Sequence, residues 1–131
     1  MNASEYITGM QHIGLPTRDM QATLAFYQGL GFSIDWKIER EGKIGLAFLK
    51  LGDCVFETFV NPNAVGVPGA IDHIALNVTD VEKVYEAIVN DGSYTICDPE
   101  KGIQFLPFYN GVKFFTILGP NGEKVEFNQK L

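Results

Sequence analysis

The sequence predicts an α+β fold built from two βαβββ modules, and three observations carry that expectation. The first is an internal repeat. QHIGLPTRDMQATLAFYQGLGF (11 to 32) lies over DHIALNVTDVEKVYEAIVNDGSY (72 to 94) at one constant offset, which sets His12 over His73, Ile13 over Ile74, Leu15 over Leu76, Asp19 over Asp80 and Gly31 over Gly92. The second is the alternation in IDHIALNVTD, where Ile74, Leu76 and Val78 share one parity while His73, Ala75 and Asn77 share the other, the mark of a half-buried strand. The third is a change of period in each half, from about 3.6 residues in one segment to 2 in the three that follow it.

Each half opens with a strand and a short polar turn, then enters a helix. Asp19 and Asp80 are the expected N-caps, because an Asp carboxylate accepts from the free amides of a first helical turn. Leu24, Tyr27 and Leu30 space the apolar face of the first helix, and Val81, Val84, Tyr85 and Ile88 that of the second. Gly29 or Gly31 closes the first helix and Gly92 the second, since a left-handed C-terminal residue favours glycine. Three strands follow in the first half, FSIDWKI (32 to 38), KIGLAFLKL (43 to 51) and CVFETFV (54 to 60), with turns at Glu41-Gly42 and Gly52-Asp53. In the second half they are SYTIC, VKFFTIL (112 to 118) and EKVEFNQ (123 to 129), the last after the turn GPNG. Module one is expected over about 8–61 and module two over about 71–131, joined by NPNAVGVPGA. PEKGIQFLPFYNG (99 to 111) has no counterpart in the first half, and an asymmetric insertion more often carries function than core.

Bulk properties narrow the function. The ten basic residues are scattered in a chain of net charge −6, which leaves no electrostatic footprint for nucleic acid or an anionic membrane and favours a small-molecule partner. No apolar run approaches the roughly 20 residues of a membrane span. MNASEYITGM has neither the basic start nor the apolar centre of a signal peptide, so a cytoplasmic setting is expected. Cys54 and Cys97 form no CxxC pattern and read as buried thiols.

Four residues stand out as candidate metal ligands. His12 and His73 are the only histidines, and both leave their strands on the face opposite the apolar parity. Either one alone would be read as an ordinary structural histidine; the repeated placement argues otherwise. The last strand of each half adds a carboxylate between apolar or hydroxyl neighbours, Glu57 between Phe56 and Thr58 and Glu126 between Val125 and Phe127. Burying such a carboxylate without a partner costs several kcal/mol, so it should face water, a cation or a metal. A solvated sheet face is the plainer alternative for Glu126, which shares its parity with Lys124 and Asn128. Two imidazoles with two carboxylates suit a divalent transition ion, Zn, Ni, Co, Mn or Fe(II), and suit calcium poorly.

These residues resemble the vicinal oxygen chelate superfamily, which includes glyoxalase I, bleomycin and fosfomycin resistance proteins, methylmalonyl-CoA epimerase and extradiol dioxygenases. The resemblance runs from MQHIGLPTRDMQATLAFYQGLGF through IDHIALNVTDVEKVYEAI to FFTILGPNGEKVEFNQ. It implies that the two modules form an incomplete β-barrel around a metal site, with His12 and Glu57 as the ligands of module one and His73 and Glu126 as those of module two. By similarity to glyoxalase I, Glu126 or Glu57 would serve as general base and acid, with Glu126 favoured, while the metal stabilises an enediolate as a Lewis acid. Homodimers are common in the family, and a dimer is expected here, with ligands drawn from one chain or from two.

One departure separates the chain from glyoxalase I: where that enzyme has an arginine for glutathione, Pro16 stands here, with Arg18 the nearest basic residue. The long insertion is a second departure. Trp36, Phe105, Phe108 and Tyr109 are the expected lining of a pocket for an apolar or aromatic ligand, whereas Phe48 and Phe114 are expected in the core. A metal-dependent lyase or isomerase is therefore weighed against a metal-independent drug- or metabolite-binding protein of the same fold. A ring-cleaving dioxygenase is disfavoured by the fourth ligand and by the short chain.

Overall fold

The computed structural model describes residues 3–6 and 8–131. It divides into two compact units, Met1–Ala64 and Val65–Leu131, each an α+β module with one sheet and one helix.

In the first unit a 3₁₀ turn at Ala3–Glu5 precedes β1 (Ile13–Thr17), α1 (Met20–Gly29), β2 (Ser33–Arg40), β3 (Lys43–Leu51) and β4 (Cys54–Val60). The sheet order is β1-β4-β3-β2, with β1 parallel to β4 and the other pairs antiparallel. Asp19 caps α1 by accepting from the Ala22 amide at 3.0 Å. The helix runs to Gly29, Leu30 stays right-handed, and the chain reverses at Gly31 with φ of 105°. Met20, Thr23, Leu24 and Tyr27 form the buried face of α1. Tyr27 stacks at 4.9 Å from Phe56 and 5.3 Å from Phe32, so the alternate residues of β4 that face the helix become the core of this unit.

The second unit repeats the plan with β5 (His73–Asn77), α2 (Val81–Asp91), β6 (Thr95–Ile96), β7 (Gln104–Leu106), β8 (Val112–Leu118) and β9 (Lys124–Lys130). The sheet order is β5-β9-β8-β6, and β7 also pairs with β8. Asp80 caps α2 through the Lys83 amide, Gln129 Oε1 accepts from the Val81 amide, and Gly92 ends the helix in the left-handed region at φ of 77°. The parity read from IDHIALNVTD holds. Ile74 and Leu76 are half-buried, whereas His73, Ala75 and Asn77 are exposed. Val125 and Phe127 of β9 and Phe115 and Ile117 of β8 are buried on the face that meets α2, where Phe115 lies 5.0 Å from Phe127 and from Tyr85.

Two expectations change. SYTIC yields only the two-residue β6, because Asp98 turns left-handed at φ of 50° and a 3₁₀ turn follows at Pro99–Lys101. The insertion, read as an extra stretch with no strand assigned to it, contains β7, whose pairing of Gln104 with Phe114 and Leu106 with Val112 extends the sheet along the half of β8 that β6 leaves free. Gly111, at φ of 102°, lets the chain return into β8 beneath the Phe105 ring. Among the described residues no helix is long and apolar enough to cross a membrane.

Candidate metal and substrate site

The candidate ligands meet in pairs, one pair in each unit. In the second, β5 lies parallel to β9 with Ala75 opposite Glu126, and the His73 side chain reaches over so that its Nε2 stands 3.7 Å from Glu126 Oε1. In the first, Gly14 stands opposite Glu57, and Nε2 of His12, just ahead of β1, lies 3.8 Å from Glu57 Oε2. Gly14 and Ala75 are equivalent under the repeat, so the two glutamates are equivalent as well. The glutamates are 69 residues apart in sequence, against 61 for the histidines, so the second module is eight residues longer between its two ligands.

The other ring nitrogen is engaged in both units. His73 Nδ1 lies 2.9 Å from Asp72 Oδ2, and His12 Nδ1 lies 2.9 Å from Gln11 Oε1. A carboxylate can only accept, so His73 Nδ1 carries the proton, and in the neutral imidazole Nε2 presents its lone pair toward Glu126. Asp72 also accepts from Lys124 Nζ at 3.3 Å. The His73 hydrogen bond, reinforced by Lys124, holds the Asp72 carboxyl below the usual carboxylate range. Glu126 is oriented in turn, its Oε2 accepting from Asn128 Nδ2 at 3.0 Å. Its side chain is 13% exposed, against 27% for Glu57.

The donors fit a divalent ion. Such an ion bonds imidazole nitrogen and carboxylate oxygen at about 2.0–2.2 Å, so one ion can reach both only if they lie within about 4.2 Å of each other. The separations of 3.8 and 3.7 Å meet that limit. Each unit by itself supplies two donors, and among the described residues no group of three or more His, Cys, Asp or Glu side chains stands close enough to hold an ion.

A cleft of about 650 Å³ opens over the second sheet on the face away from α2. His73, Glu126 and Lys124 line one part of it, and Leu106, Phe108, Val112 and Phe114 another. Cys97 is on the wall, its thiol pushed up mainly by burial. Of the expected aromatic lining, Phe108 is in this cleft and Phe105 and Tyr109 are not among its residues. The pleat of β7 sends Phe105 to the face opposite Gln104 and Leu106, over Gly111, and the Tyr109 ring lies 4.4 Å from Lys130 Nζ in a cation–π contact. Phe114, expected in the core, lines the cleft instead. In the first unit Trp36 is 57% exposed and stands edge-on to Phe48 at 6.2 Å, while Phe48 meets the His12 ring at 5.4 Å. The repeat that aligns the histidines also aligns Gln11 with Asp72, a signal that identifies the two orienting acceptors.

Residues 9–127 match the model of the Glyoxalase/Bleomycin resistance protein/Dioxygenase superfamily. The uncharacterized protein YwbC of Bacillus subtilis (strain 168) is 32% identical over 128 residues, covering 92% of this chain and 97% of that protein. The crystal structure of a glyoxalase family protein from Enterococcus faecalis aligns over 94% of this chain and 98% of its own, with a TM-score of 0.74 at 24% identity. The fosfomycin resistance protein FosX from Listeria monocytogenes aligns over 95% of both chains, with a TM-score of 0.71 at 16% identity, a likeness of fold. With the family model spanning nearly the whole repeat, the chain belongs to the Glyoxalase/Bleomycin resistance protein/Dioxygenase superfamily.

Proposed function

We propose that the protein is a metal-dependent lyase or isomerase of glyoxalase type, moving a proton on a small substrate that carries two adjacent oxygens. The observation that carries this reading is the twofold imidazole–carboxylate pair, His12 with Glu57 and His73 with Glu126, at matched positions and matched separations. His12, Glu57, His73 and Glu126 would hold a divalent transition ion. When bound, such an ion acts as a Lewis acid that acidifies the C–H beside the substrate oxygens.

The chain's own residues supply the rest. Asp72 and Gln11 hold the Nδ1 sides of the two imidazoles, which leaves each Nε2 directed at its glutamate. Glu126 lies on the cleft floor with one oxygen fixed by Asn128, so its other oxygen is the one able to accept a proton from carbon and return it to the neighbouring atom. Glu57, the more exposed carboxylate, serves as a ligand. The reading carries with it a small-molecule substrate, a homodimer and a cytoplasmic setting.

Elemental analysis of the purified protein beside the His12→Ala/His73→Ala variant tests it. Stoichiometric Zn, Ni, Co, Mn or Fe in the wild type, lost in the variant, is the expected result, together with loss of turnover in Glu126→Gln on 2-oxoaldehyde thiol adducts or acyl-CoA epimers. A protein that stays metal-free after reconstitution overturns the proposal and leaves a metal-independent binding protein of the same fold.

A further inference from the structure

The insertion gives the second sheet a feature absent from the first. In the first unit β2 runs along β3 from Lys50 to Lys43, whereas β8 is covered in two pieces, by β6 at its Leu118 end and by β7 at its Val112 end. The cleft face is consequently ordered in rows. Glu126 pairs with Thr116, then Asn128 with Phe114 and Gln104, then Lys130 with Val112 and Leu106. A two-residue step along a strand is about 6.6–6.8 Å, so an apolar surface begins about 7 Å from the Glu126 row and continues to about 13 Å. Phe108, 57% exposed, lines the cleft beside these rows. The polar part cannot serve as a strong anion clamp, because Lys124 is already engaged by Asp72.

The geometry points to an amphiphilic substrate, with an oxygen-bearing head at His73 and Glu126 and a ring-sized apolar body laid over Phe114 and Leu106 against Phe108. The position of the head rests on the proposed function; the apolar subsite rests on the insertion alone. Gln104 and Asn128, opposite one another across Phe114, place amide groups at the junction of head and body. Small hydrophilic 2-hydroxy or 2-oxo acids would fill only the first row and leave the exposed Phe108 and the half-buried Leu106 and Phe114 in water.

Titration calorimetry of the full chain with L-lactate and with 3-phenyl-L-lactate tests this, since both present the same vicinal oxygens and differ by one phenyl ring. The measurement is made on zinc-loaded and on EDTA-stripped protein. Burial of the ring predicts about a tenfold or greater preference for phenyllactate. Phe108→Ala, an exposed position whose folding is checked by circular dichroism, should reduce the preference several-fold with little change for lactate. Equal affinities, a preference unchanged in Phe108→Ala, or no binding of phenyllactate at millimolar concentration overturns the inference. A preference that survives while zinc alters neither affinity sinks the chelation reading and leaves the apolar subsite standing. Zinc strengthening both ligands without a preference has the opposite meaning.

Discussion

Asp72 Oδ2 accepts a hydrogen bond from His73 Nδ1–H at 2.9 Å, and Gln11 Oε1 occupies the equivalent place beside His12. A partner of this kind fixes both the tautomer and the plane of an imidazole, and loss of such a partner at a metal-binding histidine weakens metal affinity by about 10–100-fold. Asp72→Ala should therefore lower zinc affinity by about that factor in a chelator competition, and Asp72→Asn, which keeps an acceptor, by much less. In metal-free protein at neutral pH, ¹⁵N spectra should show the Nδ1–H tautomer of His73 in wild type and a mixture in Asp72→Ala. Wild-type affinity together with an unchanged tautomer in Asp72→Ala would sink the assignment.

The same carboxylate gives a pH prediction. Its hydrogen bonds to His73 and Lys124 lower its folded pKa, as Lys113 Nζ at 2.8 Å lowers that of Glu82. A depressed carboxyl stabilises the fold above its unfolded value, and the contribution is lost as pH falls through the folded value. Stability measured by urea should therefore decline below the ordinary carboxylate range, and more shallowly in Asp72→Asn/Glu82→Gln. Both side chains are exposed, so the difference should be small and should shrink further in salt. Superimposable pH profiles would exclude these two groups as its source.

Gly122, in the turn GPNG, has φ of 77°, and a Cβ there would stand 2.0 Å from the carbonyl oxygen of Gly66. The obstacle is backbone, which cannot rotate aside like the end of a long side chain. Left-handed geometry alone costs a non-glycine residue about 1–2 kcal/mol, and the overlap adds to it. Gly122→Ala should lose at least about 2 kcal/mol in urea unfolding. Gly42→Ala is the control, since φ is 74° there and a Cβ would meet nothing within 4 Å, so only the conformational part should be lost.

What could be read in the sequence was governed by periodicity. The alternation of KIGLAFLKL, CVFETFV and VKFFTIL gave strands whose limits match β3, β4 and β8, because glycine turns bound β3 and β8 at both ends and β4 at its start, and Asn61-Pro62 stops β4 at its end. The caps at Asp19 and Asp80 were legible for the same local reason. β7 was not, because its three residues lie between Gly102 and Pro107 and are held by pairing with β8 rather than by any pattern of their own. The place of Phe105 outside the cleft was illegible for the same reason, since its side of the sheet is defined only once β7 is known to be a strand. The repeat aligns Asp72 with Gln11, but the hydrogen bond from His73 to Asp72 also depends on side-chain rotamers, which spacing does not encode.

Thr58 and Thr17 make opposite predictions for one substitution. Both are fully buried in the first unit. Thr58 Oγ1 has no hydrogen-bond partner among the described residues, whereas Thr17 Oγ1 accepts from the Asp19 amide at 2.9 Å and lies 2.9 Å from Thr23 Oγ1. Valine has nearly the shape of threonine without the hydroxyl. At Thr58 the change removes an unsatisfied polar atom from the interior and should stabilise by about 1 kcal/mol. At Thr17 it strips the Asp19 amide of its acceptor where the chain enters α1, and should cost about 1–3 kcal/mol. Urea unfolding of Thr58→Val and Thr17→Val side by side measures both, with similar slopes expected because the surface exposed on unfolding hardly changes. Destabilisation by Thr58→Val would mean that its hydroxyl has a partner, such as a buried water.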